Sequence, residues 1–298
     1  MNRLGFMSYI YMGLSAEEMA QEASRHGFGF VQLDPRQKLQ LMDDEPFSPL
    51  RAERVRTLFA SFGIELIGLS GYTNLMNPDL AKREQKLQQL EKLIDLCPAY
   101  GTRYILTETG SLHPGGTWRD TPENRTEEAW EQLVRTVDRL RTRAVKNGAV
   151  LILEGFVCNV LSTGGQAVRL LNELGTEGIG FVMDPFNYMT REDLTDQESA
   201  MKRLFDQLAP YCPLAHAKDT LYAEDGTFTT PRVGAGKSDW AVYAKYVHDR
   251  LPNVPLILEH AEPQEVTECL ELVRHAFRQA EELGPSGQAA ASREGAGG

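Results

Sequence analysis

Eight short apolar runs recur along the chain, at Leu4–Tyr9, Phe28–Leu33, Ile64–Ser70, Arg103–Glu108, Val150–Glu154, Gly180–Asp184, Leu214–Lys218 and Pro255–Glu259. Each is nearly continuous rather than alternating, the pattern of strands in a parallel sheet covered on both faces. Between the runs, apolar positions recur at helical spacing. The first such segment opens at Ser15, with Glu18 placed to complete a capping box, and stops at Gly27. The second opens with the pair Ser48–Pro49 and stops at Gly63. Leu87, Leu90 and Ile94 mark the buried stripe of the third; Leu133, Val137, Leu140 and Ala144 mark that of the fourth, which ends before Gly148. Later helices are predicted near Gln166–Leu174, Glu198–Leu208, Trp240–Leu251 and Pro263–Leu283. Eight strands alternating with eight helices predict an α/β fold, a (β/α)8 TIM barrel forming a single domain over residues 1–283. A doubly wound open sheet is the alternative, but the first strand–helix junction lacks a GxGxxG. The tail from Gly284, GPSGQAAASREGAGG, is small, polar and unpatterned, and is expected to be disordered over 284–298.

Composition narrows the partners. A formal net charge of −11 repels phosphate backbones and argues against nucleic acid. No apolar run approaches the roughly 20 residues that span a bilayer, so no membrane partner is expected. The start, MNRLGFMSYIYMGLSAEE, makes a poor signal peptide. The four cysteines (Cys97, Cys158, Cys212 and Cys269) show no CxxC spacing and read as reduced thiols of a cytoplasmic protein.

In a barrel of this kind the chemistry sits at the C-terminal ends of the strands. Four consecutive runs end in groups able to hold a metal: LILEG gives Glu154, FVMDPFN gives Asp184, LAHAKD gives His216 and LILEH gives Glu259. A single carboxylate at a strand end fits a helix cap or the surface equally well. Four in succession, on strands five to eight, can converge on the barrel axis. Three carboxylates so placed would repel one another unless a cation neutralised them. Oxygen-rich ligation with one imidazole suits one divalent ion, Mn2+ or Mg2+, with Co2+, Fe2+ and Zn2+ as further candidates.

The segments SGYTNLMNPD (70–79), TETGS (107–111), LEGFVCNV (153–160), VMDPFNYM (182–189), HAKD (216–219), PRVGAGKSDW (231–240) and LILEH (256–260) carry a family resemblance. Over nearly its whole length before the tail, the chain resembles the sugar phosphate isomerase/epimerase family, the xylose-isomerase-like TIM barrels that include tagatose and psicose epimerases and inosose dehydratase. The resemblance implies that Glu154, Asp184, His216 and Glu259 ligate one divalent metal, often manganese. It also implies that Glu154 and Glu259 are the catalytic pair that moves protons. The expected activity is a metal-dependent isomerisation or epimerisation of a small sugar or sugar derivative. One glutamate removes a proton next to a polarised carbonyl, and a proton returns to the enediolate at another face or atom. The alternative is a lyase or dehydratase acting on a keto-sugar or cyclitol through the same first step. Barrels of this family often pair, so a homodimer belongs to the same expectation. The chain departs from the family at Asn187: epimerases of the group often carry a His three residues after the strand-six Asp. The related endonuclease IV branch needs extra His and Asp ligands for three metals. This chain has six histidines, of which His26, His248 and His275 fall on predicted helices, and a trinuclear site is not expected.

Further residues are candidates for binding substrate. Lys218, two residues after His216, projects to the same side of its strand. It can meet a substrate oxygen or pair with Asp219 or Glu154. Asn187 can orient a substrate hydroxyl or brace Glu154. Glu108 and Tyr72 follow strands four and three, and Asn74, Gln32 and Tyr9 hold comparable places; for each, pocket lining and ordinary packing are both open. Arg232 is a candidate for a substrate oxygen. Asp219 is expected to orient His216 or Lys218, as metal-bound imidazoles usually require. Trp118 and His113 lie in a long loop that is either a lid or an anchored surface loop. The VGAGK segment, with Gly234 and Gly236, offers amides to an anion or makes a turn before a helix capped by Ser238. His260 should point away from Glu259 and is expected either to pack or to support the residues that hold the ion.

Overall fold

The structure is a computed structural model and describes residues 3–283; the tail from Gly284 lies outside the described residues. In chain order the elements are β1 (Leu4–Met7), α1 (Ala16–Arg25), β2 (Phe30–Leu33), α2 (Pro49–Ser61), β3 (Glu65–Ser70), α3 (Leu80–Tyr100), β4 (Tyr104–Glu108), α4 (Glu127–Lys146), β5 (Val150–Glu154), α5 (Gly164–Leu174), β6 (Ile179–Met183), α6 (Gln197–Leu208), β7 (Leu214–Ala217), β8 (Leu221–Tyr222), β9 (Phe228–Thr229), α7 (Trp240–Arg250), β10 (Leu256–Leu258) and α8 (Val266–Leu283). Eight of the strands form a closed parallel barrel in the order β1-β10-β7-β6-β5-β4-β3-β2. Closure is made by β1, whose Gly5 pairs with Phe30 on one side and Ile257 on the other. The open-sheet alternative is thereby excluded.

Local signals account for most boundaries. Ser15 and Glu18 form the capping box that starts α1. Pro49 opens α2, although the Ser48 hydroxyl makes no cap bond. The helix expected to be capped by Ser238 is capped by Asp239, whose carboxylate accepts from the Val242 N–H. The β8–β9 hairpin has no counterpart among the predicted elements. Its strands are two residues each, too short for alternation to register.

The core is in two layers. The larger lies between barrel and helices. The smaller fills the barrel interior with Met7, Phe30, Leu106, Ile152, Val182, Leu214 and Ile257. Side chains two residues apart on a strand share a face. Above Phe30 therefore stands Gln32, above Leu106 Glu108, above Ile152 Glu154, above Val182 Asp184, above Leu214 His216 and above Ile257 Glu259. All six are buried. The residues that plug the barrel thus position the polar side chains stacked on them.

The loop after β2 is held by a residue with no functional signature in the sequence. Arg51 on α2 is fully buried. Its guanidinium donates to the carbonyls of Pro35 (2.9 Å), Leu41 (3.0 Å) and Gln37 (3.1 Å), and to the Tyr100 hydroxyl (3.1 Å). Replacing Arg51 with Leu strands these acceptors. Such a loss is expected to cost about 2–4 kcal/mol of unfolding free energy and to speed proteolysis between residues 34 and 48. Urea denaturation and limited proteolysis check this; a variant as stable as the parent contradicts the clamp.

Candidate metal centre

Four consecutive barrel strands deliver Glu154 (β5), Asp184 (just after β6), His216 (β7) and Glu259 (just after β10) to one place. One ligand atom from each lies within 4.8 Å of the others, and all four residues are buried. His216 Nδ1 is 2.8 Å from Glu259 Oε1, 3.3 Å from Asp184 Oδ2 and 3.7 Å from Glu154 Oε2. The opposite ring nitrogen, Nε2, is 3.0 Å from the Gln32 side-chain oxygen. That contact makes Nε2–H the donor to Gln32 and turns Nδ1 toward the carboxylates, as a ligand imidazole requires.

Lys218 stands within the same group. Its ammonium is 2.7 Å from Asp184, 2.9 Å from Glu259 and 3.3 Å from Glu154. Three carboxylates and one ammonium, with neutral His216, leave a charge of −3 + 1 = −2, which is what a divalent cation balances. Asp184 also keeps one buried oxygen, Oδ1, without a hydrogen-bond partner. A buried, unpaired carboxylate oxygen is costly, and here it belongs to the residue whose neighbours form a ligand set. The donors present fit a divalent ion held by oxygen and imidazole nitrogen.

The electrostatics carry the same demand for positive charge. Burial disfavours a charged His216, but Glu259 and Glu154 outweigh it and push the imidazole up to about 10. Burial alone would raise Glu259, yet the charges on His216 and Lys218 hold it well below the usual carboxylate range. For Glu154 burial wins over the same two cations and its carboxyl is raised. Glu108, buried and facing the charge of Glu154, is raised to about 7.

A ring of polar groups braces Glu154. The Tyr72 hydroxyl donates to its Oε2 and Asn187 Nδ2 to its Oε1. Gln32 Nε2 in turn donates to Tyr72 (3.3 Å) and Ser70 (3.2 Å), so Gln32 links His216 to Glu154 through Tyr72. The buried amide oxygen of Asn187 has no partner. Above these groups opens a cavity of about 580 Å3, lined in part by Tyr9, Tyr72, Glu108, Trp118, Glu154, Asn187, Lys218 and Glu259. The loop residue Trp118 reaches Glu108, its indole N–H donating at 3.1 Å.

Other candidates are placed elsewhere. Asp219 does not orient His216 or Lys218. Its carboxylate accepts from the amides of Thr220 (2.8 Å), Gly234 (3.0 Å) and Ser238 (2.8 Å), because the chain turns at the end of β7 and aims it at the following loop. The imidazole's partner is Gln32, from across the barrel. Its signal was a polar residue interrupting the apolar run FVQL. Of the VGAGK amides, that of Gly234 donates to Asp219 and those of Ala235 and Lys237 donate to the carbonyls of Arg232 and Thr220, and a Cβ at Gly236 would collide with the Asp219 carboxylate. Arg232 is not brought to the cavity; it pairs with Glu265 (2.8 Å) and Glu268 (3.1 Å) of the helical layer. His260 does not point away. It adopts a left-handed backbone (φ 56°), which breaks the strand alternation and sets its ring at the cavity, 3.4 Å from Glu259 Oε2.

Known proteins share this architecture. No curated protein matches the chain. Among solved structures, D-psicose 3-epimerase with D-tagatose from Clostridium cellulolyticum H10 is 15% identical, with a TM-score of 0.65 over 92% of this chain and 99% of that one. A probable 3-DHS dehydratase from Bacillus anthracis is 17% identical, with a TM-score of 0.69 over 91% and 98%. A xylose isomerase-like TIM barrel protein from Mycobacterium smegmatis in complex with magnesium is 17% identical, with a TM-score of 0.66 over 95% and 98%. At these identities the likeness is one of fold. The model of the xylose isomerase-like TIM barrels, in contrast, matches the sequence itself over residues 20–282, and to that family the chain belongs.

Proposed function

We propose that the protein is a divalent-metal-dependent isomerase or epimerase of a small sugar or sugar derivative. The observation that carries this reading is the convergence of Glu154, Asp184, His216 and Glu259, four buried groups able to ligate an ion, at the floor of the cavity. These four residues hold the ion, with His216 binding through Nδ1. Mn2+ is the first candidate, followed by Mg2+, Co2+, Fe2+ and Zn2+. When bound, the ion supplies Lewis-acid polarisation of a substrate carbonyl. One of Glu154 and Glu259 removes the proton from the adjacent carbon, and the other returns a proton at a second face or atom. Lys218 offsets the negative charge that develops on the substrate oxygen. Asn187 accepts from a substrate hydroxyl through its unpaired oxygen, and in this chain it orients rather than transfers protons.

A second reading, elimination of water from a keto-sugar or cyclitol, is favoured by one observation. Glu108 lines the cavity, and burial together with the charge of Glu154 pushes it up to about 7, so near neutral pH the protonated and ionised forms are both present. A carboxylic acid there can protonate a departing hydroxyl. Structural neighbours of both kinds, an epimerase and a probable dehydratase, accord with either outcome.

Two outcomes are expected. A screen of sugars and keto-sugars in deuterated buffer with Mn2+ should show deuterium at the carbon next to the carbonyl, and Glu154→Gln and Glu259→Gln should each slow its entry by about 10²–10⁴-fold. Turnover without deuterium uptake contradicts proton transfer, and a product lighter by one water selects elimination. Metal binding should also depend on pH. In the ion-free site His216, surrounded by Glu154, Asp184, Glu259 and Lys218, carries a proton up to about pH 10, and this proton must leave before Nδ1 can bind an ion. Affinity therefore weakens as pH falls, by about tenfold per unit below that value. Calorimetry with Mn2+ from pH 6 to pH 8 measures it; pH-independent binding argues against His216 as a ligand.

A further inference from the structure

The mouth of the cavity differs in chemistry from its floor. Six large apolar side chains are exposed among the described residues, and two of them, Met12 (73%) and Trp118 (70%), line this one cavity. Phe156, in the loop after β5, and Phe228, on the β9 strand of the hairpin, line it too, and they hold each other edge to face at 5.1 Å. Trp118 is tethered by its hydrogen bond to Glu108, yet most of its surface meets water. Apolar surface gathered at a cavity mouth marks a ligand site rather than packing.

Gln37 adds a polar recognition group to the same wall. Both ends of its amide are buried and have no hydrogen-bond partner. Its backbone is fixed, because the Arg51 guanidinium holds the Gln37 carbonyl at 3.1 Å. An amide so placed costs stability unless a ligand satisfies it. Cations at the cavity are already engaged. Arg36 grips Asp34 with two bonds (2.8 and 2.9 Å), Lys218 is held by three carboxylates, and His260 faces Glu259. Each cationic side chain lining the cavity thus already faces a carboxylate. The volume, about 580 Å3, lies within the range of about 300–1,000 Å3 typical of cavities that enclose drug-sized ligands, which is more than a single sugar ring fills.

We propose that the substrate is a keto-glycoside with an uncharged aromatic aglycone: its sugar unit, carrying the ketone, lies over the carboxylates, and its flat apolar ring is taken by the aromatic mouth of Trp118, Phe156 and Phe228. Gln37 meets a polar atom of the same ligand. This inference rests on the sugar reading above and narrows it to ring-bearing keto-glycosides, because the anomeric carbon of a glycoside is an acetal and the carbonyl must stand at another ring carbon.

Matched pairs of inert probes test it: methyl and phenyl D-glucopyranosides and D-galactopyranosides, both anomers, titrated by calorimetry into the full chain with Mn2+ present. In at least one pair the phenyl glycoside should bind at least about tenfold tighter, a difference of about 1.4 kcal/mol. Trp118→Ala and Phe228→Ala should each bring that pair to within about threefold of each other. Trp118 is mostly exposed, so its replacement leaves folding intact, and circular dichroism verifies this. No phenyl advantage in any pair, or an advantage that survives both substitutions, overturns the inference. Deuterium entry into free keto-sugars without a phenyl preference overturns this inference alone. A phenyl preference in binding, with no exchange on any sugar or glycoside, overturns the proton-transfer reading and leaves the aromatic subsite standing.

Discussion

Three carboxylates gathered where water barely reaches set the terms for everything around them. Glu154, Asp184 and Glu259 are each at most 7% exposed, so little solvent screens their repulsion. Neighbouring groups respond to that field. His216 becomes strongly basic, Lys218 folds into the cluster, and Tyr72 and Asn187 turn donors toward Glu154. With His216 neutral, as a ligand must be, the three carboxylates face only the Lys218 ammonium. Buried ion clusters of this type are commonly no more stable than apolar residues of similar volume. Stability therefore does not explain why four adjacent strands end this way.

The barrel tolerates such a cluster because its stability comes from elsewhere. Seven apolar side chains fill the barrel interior directly below the site, and a larger apolar layer surrounds the sheet. The ligand residues continue the same inward-facing rows, so the packing that stabilises the strands also fixes the positions of the ligands. Loops around the mouth are held differently, each by a buried or half-buried polar side chain reaching several backbone groups. Arg51 holds the loop after β2, Asp219 the loop from Gly234 to Ser238, and Asn159 and Asn74 the amides of Gly110 and Ser111 (2.9 and 3.0 Å). Such clamps pre-position a binding surface without regular secondary structure.

This division also decides what could be read from the chain. All eight barrel strands and the polar residues that end them were legible, because strand burial is local and period two carries each apolar plug residue to the site residue above it. Glu154, Asp184, His216, Lys218 and Glu259 follow from that rule alone. The errors lie where the backbone leaves the rule. Asp219 was paired with the wrong partner because the chain turns at the end of β7. His260 was aimed the wrong way because its backbone is left-handed. Gln37 and Arg51 gave no signal, since their roles depend on loop contacts up to 49 residues apart in sequence. The β8–β9 hairpin was too short to register.

Reaction and specificity are thereby written in different parts of the molecule. Proton abstraction next to a carbonyl is common to epimerisation and elimination, so under the proposed function the same four strand ends would serve either. The outcome depends on where the next proton goes. Glu108 pairs in register with Glu154 on the adjacent strand and, raised to about 7 by burial and the charge of Glu154, is available in its protonated form near neutral pH, while its carboxylate accepts from Trp118 of a loop. A proton held there can reach a carbon or a departing oxygen only according to how the substrate lies. In the proposed scheme the mouth, built from loops, sets that pose, so the residues that would choose between the two outcomes lie there rather than among the four strand ends.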